Sequence, residues 1–285
     1  MADGPRFPDE EDVCLRVRAI ATSADWPCEI ETRFACGNMG CCKRISSGIS
    51  WVFSRVAEAI ILEDDCYPHA DFYRFCAAML RAHRSDTRVM MVTGTNIAGR
   101  WRDDRQDFHF SLYGSIWGWA AWRRAWNHYD LEARLWADPR AREAIRHLFP
   151  ADEAEARETV FNAMAERKID TWDYHWTLAR LLQSGLCVVP SRNLVRNIGF
   201  GKGATHTATN SRRADAELHP HPGPYRPAIA VVADRAYDRF VYENNGCGFG
   251  RHGNWLRRSS EMVSRRLLLE ASRFRHLISD DWKKL

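Results

Sequence analysis

Two groups of carboxylates carry the chemistry open to this chain. The first is Glu63-Asp64-Asp65, reached directly from the apolar run Ala59-Ile60-Ile61-Leu62 and followed by Cys66-Tyr67-Pro68-His69-Ala70-Asp71-Phe72. Three adjacent carboxylates repel one another and resist desolvation unless a cation or hydrogen-bond donors compensate. Such hard oxygen ligands suit Mg2+ or Mn2+, which completes its shell with water and substrate phosphates. The second group is Asp170-Thr171-Trp172-Asp173, where one carboxylate could accept the proton of a hydroxyl. Each group also has a plain structural role: a solvated turn that caps a helix for the first, and a cap on a helix over 174–182 for Asp173.

Glycine-rich loops flank these carboxylates. Ala35-Cys36-Gly37-Asn38-Met39-Gly40-Cys41-Cys42-Lys43 lets the backbone approach a phosphate or a base, with a lysine nearby. Gly199-Phe200-Gly201-Lys202-Gly203-Ala204-Thr205-His206 is a cationic loop of the kind that closes over a diphosphate and excludes water. Between them, tryptophans at 117, 119, 122 and 126 make either a hydrophobic knot or a wall on which the apolar face of a sugar ring stacks.

Positioning these groups calls for an α/β fold. The run 59–62 has the length and branching of a strand buried on both faces of a parallel sheet. Its polar end then lies at the sheet edge where open α/β sheets bind ligands. A helix over 72–84 and a strand over 88–96 follow, and the helix supplies the crossover that brings Asp65 and Asn96 to one edge. Upstream, 10–23 reads as an imperfect amphipathic helix with Val13, Leu15, Val17 and Ile20, 28–34 alternates like a strand, and 44–58 is a helix. Residues 131–167 read as solvated helices, and 186–190 as a strand. Beyond 210 come a Pro- and His-rich linker with His219 and His221, a stretch over 230–244 suited to packing back on the domain, and a basic amphipathic segment over 254–285. That last segment is expected to dock on the body. Its lesser alternatives are a homodimer contact and a peripheral seat on an anionic membrane.

The segment Ile61 to Phe72, with its acidic triplet followed by Pro68, Asp71 and Phe72, resembles the signature of GT-A fold glycosyltransferases, nearest to N-acetylglucosaminyltransferase I and related bacterial nucleotide-diphospho-sugar transferases. The resemblance covers about 3–210 in four ordered motifs: Asn38-Met39-Gly40, Glu63-Asp64-Asp65, Trp172-Asp173, and the loop that starts at Phe200-Gly201. It implies a Rossmann-like mixed, mostly parallel sheet flanked by helices over 1–210; beyond 210 the resemblance fades, and 211–285 reads from its residues as a helical C-terminal extension. It implies Mn2+ or Mg2+ on Asp65, and a nucleoside-diphosphate-sugar donor held by Asp3, Asn38, Gly40, Lys43, Glu63, Asp64, Trp119, Lys202 and His206. Asp173 would be the base toward a glycan or other hydroxyl acceptor, with Asp170 in reserve and inversion at the sugar carbon. In that family a strand, a helix and a second strand precede the Asp-Gly matched by Asp3-Gly4, so the chain reads as N-terminally shortened. Alternatives are a sugar-phosphate nucleotidyltransferase and a non-catalytic nucleotide-sugar-binding protein.

Composition sets the outer bounds. With 285 residues, 45% hydrophobic and 27% charged, the chain can bury a full core. No apolar run approaches the ~18 residues a membrane span needs. Met1 to Arg6 lacks the basic start and apolar core of a signal peptide. Nine cysteines, an odd number without CxxC spacing, then point to reduced thiols and a cytoplasmic setting. A net charge of +4 is too small to imply nucleic acid.

Overall fold

A computed structural model describes residues 1–199 and 216–244. In chain order the elements are α1 (Glu11–Ala21), α2 (Cys41–Arg55), β1 (Glu58–Ile61), β2 (Cys66–Pro68), α3 (Ala70–Ala82), β3 (Val89–Thr93), β4 (Phe108–Ser111), β5 (Trp119–Trp122), α4 (Arg123–Trp126), α5 (Pro139–Leu148), α6 (Ala151–Ala165), α7 (Asp173–Leu181), β6 (Leu186–Pro190), β7 (Val195–Asn197) and α8 (Arg235–Glu243). Local chemistry accounts for several boundaries. The His69 ring accepts from Asp71 N at the start of α3, and Asp138 ahead of Pro139 accepts from Arg140 N at the start of α5. Asp234 accepts from Ala236 N and Tyr237 N and so starts α8.

The main sheet has the order β1-β5-β3-β6-β4. Only β3 and β6 run parallel; β1–β5, β3–β5 and β4–β6 are antiparallel. The fold is therefore mixed α/β with a mixed sheet flanked by helices, and the expected mostly parallel sheet is corrected. The run 59–62 is corrected with it. β1 is a half-buried edge strand, whereas β3, β5 and β6 are buried throughout. An antiparallel strand, β5, has entered between β1 and β3, with Ile61 opposite Trp119 and Thr93 opposite Trp119 from the other side. Because β1 and β3 are both antiparallel to β5, they still point the same way.

Three further expectations change. Residues 28–34 form no strand; only Phe34 bridges to Ala2, because an alternating pattern without a long partner edge has nothing to pair with. α1 forms as expected but buries none of its residues. The helices after Leu131 are not merely solvated: Trp136, Ile145, Val160, Phe161 and Met164 enter the core. With them goes a buried ion pair, Arg157 Nη2 to Glu153 Oε1 at 3.3 Å, whose guanidinium lies 3.9 Å from the centre of the Phe149 ring. Such a pair offsets its desolvation only when well satisfied.

Residues 216–244 pack back on the domain. His221 N donates to Asp71 Oδ2 at 2.9 Å, Ala233 bridges to Phe110, and Tyr237, Val241 and Tyr242 are buried. His221 itself is buried between Phe75 and Tyr225, a packing role. The basic segment over 254–285 lies outside the described residues. Among the described residues no helix is long and apolar enough to cross a membrane.

Candidate functional site

The carboxyl ends of β1, β3 and β6 share one edge of the sheet, and Glu63-Asp64-Asp65 sits just beyond β1. The turn is closed locally by Cys66 N donating to Glu63 O at 3.1 Å. It is then held by a second, two-stranded sheet in which β2 pairs with β7. Ile198 N donates to Asp65 O at 2.8 Å. Gly199 lies so close that a β-carbon there would stand 2.5 Å from Asp65 Oδ2. Sequence reasoning missed Gly199. Its signal was only one more glycine in a glycine-rich run, and the contact crosses more than a hundred residues of chain.

The second carboxylate group reaches the first directly. Trp172 Nε1 donates to Glu63 Oε1 at 3.2 Å. Burial, then the Asp65 charge, push the Glu63 carboxyl up to about 7, against the pull of that hydrogen bond. Asp173 and Asp64 are among the charges that raise it. Asp173 stands at the first position of α7, where the helix dipole favours a negative charge, and Thr171 Oγ1 donates to its Oδ1. The cap position belongs to Trp172, so Asp173 is not the helix cap.

The glycine-rich loop over 37–43 is built separately. Asp3 accepts from Met39 N at 3.0 Å and from Asn38 Nδ2 at 3.1 Å. Gly4 backs onto Gly37: a β-carbon on Gly4 would stand 2.6 Å from the Gly37 backbone. Asn38 Oδ1 accepts from Gly40 N at 3.2 Å, and Gly40 takes φ 78°, in the left-handed region that suits glycine. Lys43 is exposed in the first turn of α2. Cys41 and Cys42 start that helix, a place that normally lowers a thiol's pKa. Here burial and nearby carboxylates win, pushing Cys41 up to about 12 and Cys42 up to about 11, which leaves both poor nucleophiles.

One donor-site residue is corrected. Trp119 is 0% exposed, stacked on Trp172 at 5.6 Å and close to Trp126 and Trp176, so no sugar can lie on its face. It sets the floor that holds Trp172. Trp117 is the partly exposed ring of that segment, and Gly118 beside it packs against Leu62 and Val195. Thus Asp3, Asn38 and Gly40 form one group, Glu63, Asp65, Trp172 and Asp173 another, and exposed Asp64 lies within the second. Lys202 and His206 lie outside the described residues.

The donor set fits a divalent cation in one way. Among the described residues no three His, Cys, Asp or Glu side chains converge as a ready metal cage. An open site does not need one, since Mg2+ and Mn2+ are commonly held by one or two carboxylates with phosphate oxygens and water. Asp65, half-buried beside two other acids, has the chemistry for that part. No protein-family model matches the chain, and no curated protein matches it. The site therefore stands on its own geometry.

Proposed function

We propose that the chain is a metal-dependent glycosyltransferase with GT-A organisation, moving a sugar from a nucleoside-diphosphate-sugar to a hydroxyl acceptor with inversion. The observation that carries the reading is the Trp172–Glu63 hydrogen bond, which joins two motifs 109 residues apart into one carboxylate cluster at the strand ends. Asp173 takes the acceptor's proton as its oxygen forms a bond to the sugar carbon, and the bond from that carbon to the diphosphate breaks. A divalent cation on Asp65 would supply charge neutralisation for the departing diphosphate. Asp3, Asn38 and Gly40 hold the nucleotide end, and Glu63 and Asp64 face the donor.

A non-catalytic nucleotide-sugar-binding role is the second reading. It is favoured by the exposure of Phe7, Ile20 and Trp26, in the stretch of chain between Asp3-Gly4 and the proposed nucleotide loop. The test is a thermal-shift series with nucleoside diphosphates and their sugars, with and without Mn2+, on the wild type and Asp65→Ala. A ligand at a hundredfold excess over its Kd stabilises the native state by about 2.7 kcal/mol. The expected outcome is a metal-dependent shift that Asp65→Ala abolishes. A well-folded wild type that shifts with no nucleotide refutes both readings, and binding without any sugar transfer selects the second.

A further inference from the structure

Asp170 has no part in the chemistry proposed above, yet its side chain bridges the two halves of the site through the start of α2. That helix begins behind Gly40, which has no side chain with which to cap it. The first N–H groups of a helix have no partner within the helix. Asp170 supplies one from 129 residues away: its Oδ2 accepts from Cys41 N at 3.2 Å and its Oδ1 from Cys42 N at 3.1 Å. A β-carbon on Gly40 would stand 3.0 Å from Oδ2, so the loop and the carboxylate are in close contact. On one side, that loop is clasped to Asp3 through Asn38 and Met39. On the other, the residues next to Asp170 are Thr171, which donates to Asp173, and Trp172, which donates to Glu63. One path of short contacts thus runs from the nucleotide loop to the base.

With each oxygen accepting from a backbone N–H group, the geometry gives Asp170 a structural part at the start of α2 beside its reserve part as base. We propose that Asp170 is a positioning residue that makes the loop 38–43 and the segment 170–174 move as one, so that occupancy of the loop sets the placement of Asp173. This inference rests on reading those two segments as nucleotide loop and base.

The test is amide hydrogen exchange on the whole chain as wild type, Asp170→Asn and Asp170→Ala, with and without a nucleoside diphosphate and Mn2+. Loss of a helix cap speeds exchange about fivefold, the equivalent of ~1 kcal/mol. In the ligand-free Asp170→Ala protein that acceleration is expected at 41–43 and at 171–174 together. In the wild type the nucleotide slows exchange in both segments; in Asp170→Ala it slows only 38–43. Asp170→Asn, which keeps one acceptor oxygen, restores part of the effect at 171–174. Acceleration confined to 41–43 overturns the proposal and leaves Asp170 a helix cap, and so does nucleotide protection that reaches 171–174 equally in Asp170→Ala. If the two segments loosen together but no nucleotide changes the wild type anywhere, the glycosyltransferase reading falls while the mechanical link stands.

Discussion

The two edges of the sheet are built in opposite ways. At β4 the edge is covered: Asp234 N donates to Phe110 O at 2.7 Å, Ser111 Oγ to Asp238 Oδ1 at 2.6 Å, and Arg226 Nε and Nη2 both reach Asp107. Nearby charges are paired and the aromatic rings are buried. At β1 no strand pairs with the outer edge among the described residues, and three acids crowd its end with one of them pushed up to about 7. α1, which precedes this edge, leaves Val13, Leu15, Val17 and Ile20 exposed. The comparison separates two duties. The covered edge and the tryptophan core supply stability, while the open edge keeps charges that cost stability, where the proposed donor would meet them.

The largest expected effect lies on the core side of that contrast. Trp119→Ala should lower unfolding free energy by about 3–5 kcal/mol, the usual loss for a large aromatic removed from a closed core. It should also release Trp172 from its floor, so that the proposed nucleotide binding weakens along with stability. A urea melt that moves by less than 1 kcal/mol would show that Trp119 does not support the site.

An intermediate effect of opposite sign is expected at the open edge. The Glu63 carboxyl is held near 7 in the folded, metal-free protein and lies near 4.3 when unfolded. Between those values the folded state binds more protons, so this group's contribution falls as pH rises from about 4.3 to 7. Glu63→Gln should therefore stabilise the metal-free protein at pH 8 by about 1–2 kcal/mol, a figure reduced for its partial exposure, and should do little at pH 4. Denaturant melts at the two pH values check this. Equal differences at both would mean that Glu63 carries no strain.

The smallest effect belongs to α1. Ile20 is 74% exposed, so Ile20→Ser should change stability by no more than about 0.5 kcal/mol. A loss above 1 kcal/mol would show that this helix packs on something in solution and that the contrast between the edges is weaker than it looks.

Much of the order of elements was legible. The helical spacing of Phe72, Phe75, Cys76 and Met79 gave α3, and the apolar runs gave β3 and β6 with boundaries close to those found. The direction of β5 was not legible, because Trp119-Ala120-Ala121-Trp122 carries no mark of which neighbour it will join. Nor was the burial of Trp119, since an indole reads alike whether it faces a ligand or a core. Arg157 and Glu153 read as surface charges for the same reason: they pair locally, four residues apart on α6, but their burial depends on the Tyr113 and Phe149 rings that cover them.

By itself the sequence determined the chemical types and their local setting: three acids after a strand, an aspartate at a helix start, glycines where the backbone turns. Those follow from short-range sterics, capping and hydrophobic period, which act within a few residues. The tertiary structure alone decided that Trp172 meets Glu63, that Gly199 lies on Asp65, and that Asp170 caps a helix it does not belong to. Each of these contacts spans more than a hundred residues, and what selects it is the packing of a whole sheet, a quantity no local window contains.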